Sequence, residues 1–278
     1  MGKYADLLLV SDFDRTLTAP DGTIPKANLE AIRRFITEGG RFTVATGRST
    51  PLFLKEQLLF PHNAPLILFN GAVCYDYAAD KTEFADPLPA GTGRFAGELL
   101  RRFPDFHYEF QALKRHYVVP RDPARMRFLA EHGAETADVL PAQIREPVYM
   151  ICIIGRYVPP DDPDGSDSAC TEEEDRAFLR LGEWIGGDGN YSPVRSTPQI
   201  TEVLPRGVSK GSAARRLKDL LGRKTLVCIG DAMNDLSMLQ AADLAFVPAD
   251  GDAELQEGRF AVCASCGEGA VASAIERL

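Results

Sequence analysis

Hydrophobic positions along this chain follow two periods, and the changes from one to the other divide it into three stretches. Residues 7–10, LLLV, are a continuous apolar run bounded by polar residues, the pattern of a short strand buried on both faces of a parallel sheet. After the turn-rich APDGT, Pro25 opens a helix in which Leu29, Ile32, Phe35 and Ile36 recur at helical spacing until Gly39 and Gly40 end it. Residues 41–45 predict a second strand, followed by Ser49 as N-cap and Pro51 in the first turn of a second helix. Residues 66–69 are a third apolar run. Beyond the turn pair Asn70 and Gly71, the segment AVCYDY predicts a hairpin arm. Strands alternating with helices in this way predict a parallel sheet.

The pattern changes near residue 84. DPLPAGTG is rich in Pro and Gly, and beyond it single helices stand among paired strands. Helices are predicted at 92–102 and 123–132, strands at 107–111, 115–119 and 148–154, a helix around Phe178, Leu181 and Ile185, and strands at 191–195 and 200–204. This order predicts an α+β layer with a largely antiparallel sheet. Residues 159–174 are polar, acidic and proline-bearing, and predict a surface loop. The alternation then returns: an amphipathic helix at 209–221, a strand at 226–229, a helix opened by GDAMNDLSML, a strand at 244–247 and a terminal helix at 269–278. The chain thus divides into a domain made of residues 1–84 and 205–278 and a second domain, 85–204, inserted into it.

With 278 residues, 45% of them hydrophobic, the chain can bury two cores. Lys and Arg number 31 against 40 Asp and Glu, and the net charge of −9 argues against a nucleic-acid partner or an anionic membrane surface. Any phosphate it binds must therefore be held locally. There is no run of about 18 apolar residues and no long h-region, and Asp6 stands where a myristoylation signal needs Ser or Thr. A cytoplasmic protein without a membrane partner is expected; oligomeric state leaves no mark in the sequence. The six cysteines are scattered through apolar surroundings, unlike a secreted disulfide framework, and the CxxC pair Cys263 and Cys266 has neither a second pair nor a nearby His to complete a zinc site.

The candidate chemistry begins where the first strand ends. Asp12 and Asp14 lie two residues apart, an expensive arrangement unless a cation sits between them, most simply Mg²⁺ with its preference for oxygen ligands. Asp12, Thr46 and Asp231 each follow the carboxyl end of a predicted strand, where open α/β sheets place their ligands. Lys210 stands where the loop PRGVSKG feeds a helix, a position that disfavours Lys unless an anion is close. Together they offer an anionic nucleophile, a second carboxylate to move protons, a cation for phosphoryl oxygens and a third carboxylate for metal.

DFDRT at residues 12–16, ATGR at 45–48, GVSKG at 207–211 and GDAMND at 230–235 resemble, in order and spacing, the four motifs of the haloacid dehalogenase-like superfamily. The large insertion between the second and third resembles its Cof-like subgroup, and the resemblance covers nearly the whole chain. It implies a Rossmann-like α/β core with a parallel sheet, and an inserted α+β cap that chooses the substrate. It also implies a Mg²⁺-dependent phosphatase acting on small phosphorylated metabolites, sugar phosphates above all, through an aspartyl phosphate. By the family pattern Asp12 is the nucleophile, and Asp14 is the general acid and then the base, lending its carbonyl to Mg²⁺. Thr46 and Lys210 bind the phosphoryl group, Asp231 ligates Mg²⁺, Asp235 supports the metal, and Asn234 lies beside the phosphoryl site. Gly47 and Arg48 complete the substrate-binding set, with Arg48 readable also as a surface charge. Two features depart from the family: Arg15 stands where Gly is frequent, and PADGDAELQEGR after Val247 lacks the usual Gly- and Asn-bearing loop.

Other readings compete. A phosphohexomutase of the same fold would have to keep water from the aspartyl phosphate, and a sugar-phosphate-binding regulator would require damaged motifs. Gly207, Ser209 and Gly211 match a serine-hydrolase elbow, but His62, His107, His116 and His132 all precede Ser209, whereas that fold needs its His after the Ser. Gly91, Gly93 and Gly97 follow a proline linker instead of a strand and miss the dinucleotide spacing.

Overall fold

The computed structural model describes residues 2–155, 170–258 and 260–278. The chain packs as two compact units, one of Met1–Arg48, Lys55–Ala85 and Ser209–Leu278, the other of Ser49–Leu54 and Asp86–Val208. In the first unit β1 (Leu7–Ser11) is buried from Leu8 onward. Helix α1 (Lys26–Thr37) follows Pro25 and buries Ala31, Ile32 and Phe35 on one face. Next comes β2 (Arg41–Val44). The α-helix expected after Ser49 is absent. The segment holds two 3-10 turns, Pro51–Phe53 and Glu56–Leu58, because Pro61 biases the backbone before it away from helix and leaves too short a run to propagate one. Nor does Ser49 cap a helix: its hydroxyl lies 2.9 Å from His116 Nε2 within the second unit. Strands β3 (Leu66–Leu68), β4 (Val73–Asp76) and β5 (Lys81–Ala85) form a separate antiparallel sheet. The third apolar run therefore does not become a full member of the parallel sheet and meets it through the single bridge Ala45 to Ile67.

The second unit contains α2 (Thr92–Arg102), β6 (His107–Ala112), β7 (Arg115–Val119), α3 (Pro123–Glu131), β8 (Glu135–Ala137), β9 (Val148–Ile154), α4 (Glu172–Asp188), β10 (Tyr191–Thr197) and β11 (Ile200–Pro205). Its sheet runs β10-β11-β9-β6-β7-β8, antiparallel except between β7 and β8. Alternation sends Tyr108, Phe110, Ile151 and Ile153 into a core with Phe95, Leu99, Phe178 and Leu181. Within the predicted loop 159–174, residues 159–169 lie outside the described residues. Its last three open α4 instead, because Thr171 and Glu174 form a capping box.

Returning to the first unit, the chain forms α5 (Lys210–Leu220), β12 (Thr225–Ile229), α6 (Leu236–Ala241), β13 (Leu244–Pro248), α7 (Ala253–Gln256), β14 (Ala261–Cys263) and α8 (Ala270–Glu276). The main sheet is parallel throughout, in the order β14-β13-β12-β1-β2. This is the α/β core with an α+β second unit that the hydrophobic pattern and the motif resemblance led us to expect. Sequence reading missed β5, β8, β14 and α7, all five residues or shorter. No helix among the described residues is long and apolar enough to cross a membrane, and all six cysteines are free.

Candidate active site

Register brings the motif residues together. Ser11 pairs with Val44 on one side and Ile229 on the other, and the Asp12 N–H donates to the Ile229 carbonyl at 2.8 Å. Asp12, Thr46 and Asp231 thus leave three adjacent strands at the same carboxyl edge. Lys210 arrives from the first turn of α5, which Ser209 caps by accepting from the Ser212 N–H. Its side chain is 1% exposed and its ammonium lies 2.6 Å from Asp12 Oδ1 and 2.6 Å from Asp235 Oδ1. The helix start that disfavours a cation is offset here by two carboxylates.

Oxygens of Asp12, Asp231 and Asp235 lie within 4.8 Å of one another. Burial, together with Asp235, pushes Asp12 well above the ordinary carboxylate range against the pull of Lys210. Burial and Asp235 likewise raise Asp231 to about 7, with Thr16 and Lys210 opposing. Burial alone would depress the Lys210 ammonium, but the charges of Asp12 and Asp235 outweigh it and hold the proton on. Three carboxylates around one ammonium leave a local deficit of positive charge. Hard oxygen donors at this spacing fit a small divalent cation such as Mg²⁺.

Asp14 stands apart from this cluster. Its side chain is 52% exposed and receives two bonds from Arg48, Nη2 to Oδ1 at 2.6 Å and Nε to Oδ2 at 3.1 Å. Arg48 is held further by Glu56 Oε1 at 3.5 Å and by the Phe13 ring, 5.4 Å from its guanidinium carbon. The guanidinium named for the substrate is therefore engaged by protein groups here. Thr46 is 1% exposed, and its hydroxyl accepts from the Arg48 N–H at 3.2 Å. Gly47 sits between them, and Asn234 is half-buried in the 3-10 turn Met233–Asp235. Arg15 keeps the turn despite lacking the usual Gly, at φ 60°. Sequence reading gave Thr16 no task, yet its hydroxyl donates to Asp231 Oδ1 at 2.6 Å; its place at the end of DFDRT was the available signal.

Comparison with known proteins identifies the family. A family model described as haloacid dehalogenase-like hydrolase matches residues 9–275. YxeH of Bacillus subtilis (strain 168), provisionally named a phosphatase, is 39% identical over 286 residues, covering 98% of this chain and 97% of that protein. The 5-amino-6-(5-phospho-D-ribitylamino)uracil phosphatase YwtE of the same organism is 27% identical over 289 residues, covering 96% of each. A crystal structure of a haloacid dehalogenase-like hydrolase from Bacteroides thetaiotaomicron shares the fold with a TM-score of 0.76 at 21% identity, over 99% of both chains.

Proposed function

The chain belongs to the haloacid dehalogenase-like hydrolase family and is a phosphatase of its Cof-like subgroup; from that premise we propose that it hydrolyses small phosphorylated metabolites, sugar and polyol phosphates above all, by a Mg²⁺-dependent route through a phosphoryl group carried on Asp12. The observation that carries this reading is the buried ammonium of Lys210 between Asp12 and Asp235, with Asp231 completing the carboxylate cluster.

An Asp12 oxygen attacks phosphorus and forms the acyl phosphate as the ester P–O bond breaks, and the leaving alkoxide takes a proton from Asp14. Arg48 orients Asp14 for this work. Lys210, the Thr46 hydroxyl and the Gly47 N–H, with Asn234 beside them, receive the phosphoryl oxygens where charge develops. Water then attacks the acyl phosphate, Asp14 takes its proton, and phosphate leaves. Asp12, Asp231 and Asp235 would hold Mg²⁺ together with the Asp14 carbonyl, and the bound ion would add positive charge at the phosphoryl oxygens. Recognition of the non-phosphate part falls to the second unit. A sugar or polyol phosphate is supported by YwtE, whose named substrate carries a phosphoribityl chain.

The test is a panel of phosphomonoesters assayed with Mg²⁺ and after EDTA treatment. Turnover of hexose or pentitol phosphates that stops with EDTA supports the reading. Preference for a phosphopeptide, or activity that survives EDTA, contradicts it.

A further inference from the structure

Three consecutive residues between β3 and β4, Phe69, Asn70 and Gly71, take φ of 50°, 50° and 106°. Glycine adopts such angles freely and Asn tolerates them, whereas an aromatic side chain does so under strain that persists only where the surroundings over-determine it. The neighbours supply that determination. The Phe69 N–H donates to the Arg48 carbonyl and the Asn70 N–H to the Thr46 carbonyl, each at 3.0 Å, so the turn grips both ends of residues 46–48. On its other side a Cβ at Gly71 would stand 2.9 Å from the Lys210 backbone nitrogen and would collide outright with the Ser209 carbonyl. One turn therefore touches both the Thr46 loop and the helix start that carries Lys210.

The Asn70 side chain is 2% exposed, and neither of its amide atoms has a hydrogen-bond partner among the described residues. A buried amide left unpaired is costly, so a side chain chosen for stability alone would not stand there. What the amide does touch is Gly47: a Cβ at that position would lie 3.1 Å from Nδ2 and 3.2 Å from Oδ1. We propose that Asn70 is a positioning residue of the phosphoryl site. Seated against Gly47 by a strained turn, it sets where residues 46–48 present the Thr46 hydroxyl and the Gly47 N–H, and at what spacing from Lys210. The assignment rests on the phosphatase reading above and adds a residue outside the four motifs.

A double-mutant cycle of Gly47→Ala, Asn70→Gly and the pair tests it, with kcat and KM for p-nitrophenyl phosphate, the Kd of inorganic phosphate by calorimetry, and thermal unfolding. Glycine tolerates the left-handed backbone and removes the unpaired amide. N70G should therefore keep Tm within about 3 °C while kcat/KM falls about tenfold or more and phosphate binds more weakly in proportion. G47A alone should also lose about tenfold; in the pair its methyl group meets no amide, so the loss should stay within about twofold of that in N70G. Losses that multiply in the pair, N70G activity within about twofold of wild type, or activity that falls only in step with Tm, each overturn the assignment. If wild type hydrolyses no monoester, the phosphatase reading fails, and the phosphate affinities of the same four proteins still judge Asn70. A wild type that binds no phosphate overturns both.

Discussion

The Lys210 ammonium lies 2.6 Å from Asp12 Oδ1, joining residues 198 positions apart in the chain. Removing that charge leaves Asp12 and Asp235 buried, close and unscreened. Lys210→Met should lower kcat by about a hundredfold or more, in the range of losing one transition-state donor. It should also bring a loss of stability readable by urea denaturation, because truncation strands two carboxylates. Turnover near wild type would remove Lys210 from the phosphoryl site.

Metal and pH should act together. Asp231 titrates at about 7 in the folded chain against an ordinary 3.8, so between those values the native state holds more protons than the unfolded one. Its contribution to metal-free stability therefore falls as pH rises through that window. Mg²⁺ needs the ionised carboxylates, so the Tm gain on adding it should be larger at about pH 8 than at about pH 5.5. A gain independent of pH would argue against the carboxylate cluster as the metal site.

Asp14→Asn should slow release of sugar alkoxides far more than release of p-nitrophenolate, which needs little protonation. Arg48→Ala should share that bias through lost orientation of Asp14. Equal losses on both substrates would take Asp14 out of the acid role.

Much of the fold was legible in the sequence because strand and helix periods change where the elements change. The run 148–154 and the helix 92–102 were read with the bounds the structure gives. Elements of three to five residues, such as β14, are too short for a period to register. The helix expected after Ser49 failed because a capping residue and a proline signal a start but not a length. Pairings set only by tertiary structure left no local trace: Ser49 with His116, and the Arg48 grip on Asp14. The four motifs made the family legible, whereas the second unit carries no comparable signal for its substrate.

In the second unit Glu109 is buried, paired with Arg125 Nε, 3.3 Å from His116 Nδ1, and accepts from Gln111 Nε2 at 3.2 Å. Burial would raise its carboxyl, but Arg125 and His116 outweigh burial and hold it well below the usual range. The stability it contributes is present above its unfolded value and is lost as pH falls. Glu109→Gln should cost about 3 kcal/mol near neutral pH, as breaking a buried ion pair does. The difference from wild type should shrink below about pH 4 in denaturant titrations.

The most direct measurement traps the intermediate. The protein is mixed with a labelled phosphomonoester and Mg²⁺, quenched in acid, digested, and its peptides are analysed by mass spectrometry. The expected result is one phosphoryl group on the peptide that contains Asp12, borne by Asp12, and none in Asp12→Asn, whose turnover should fall below about a tenth of wild type. A phosphoryl group on another residue, or an Asp12→Asn protein that keeps most of its turnover, would contradict the account.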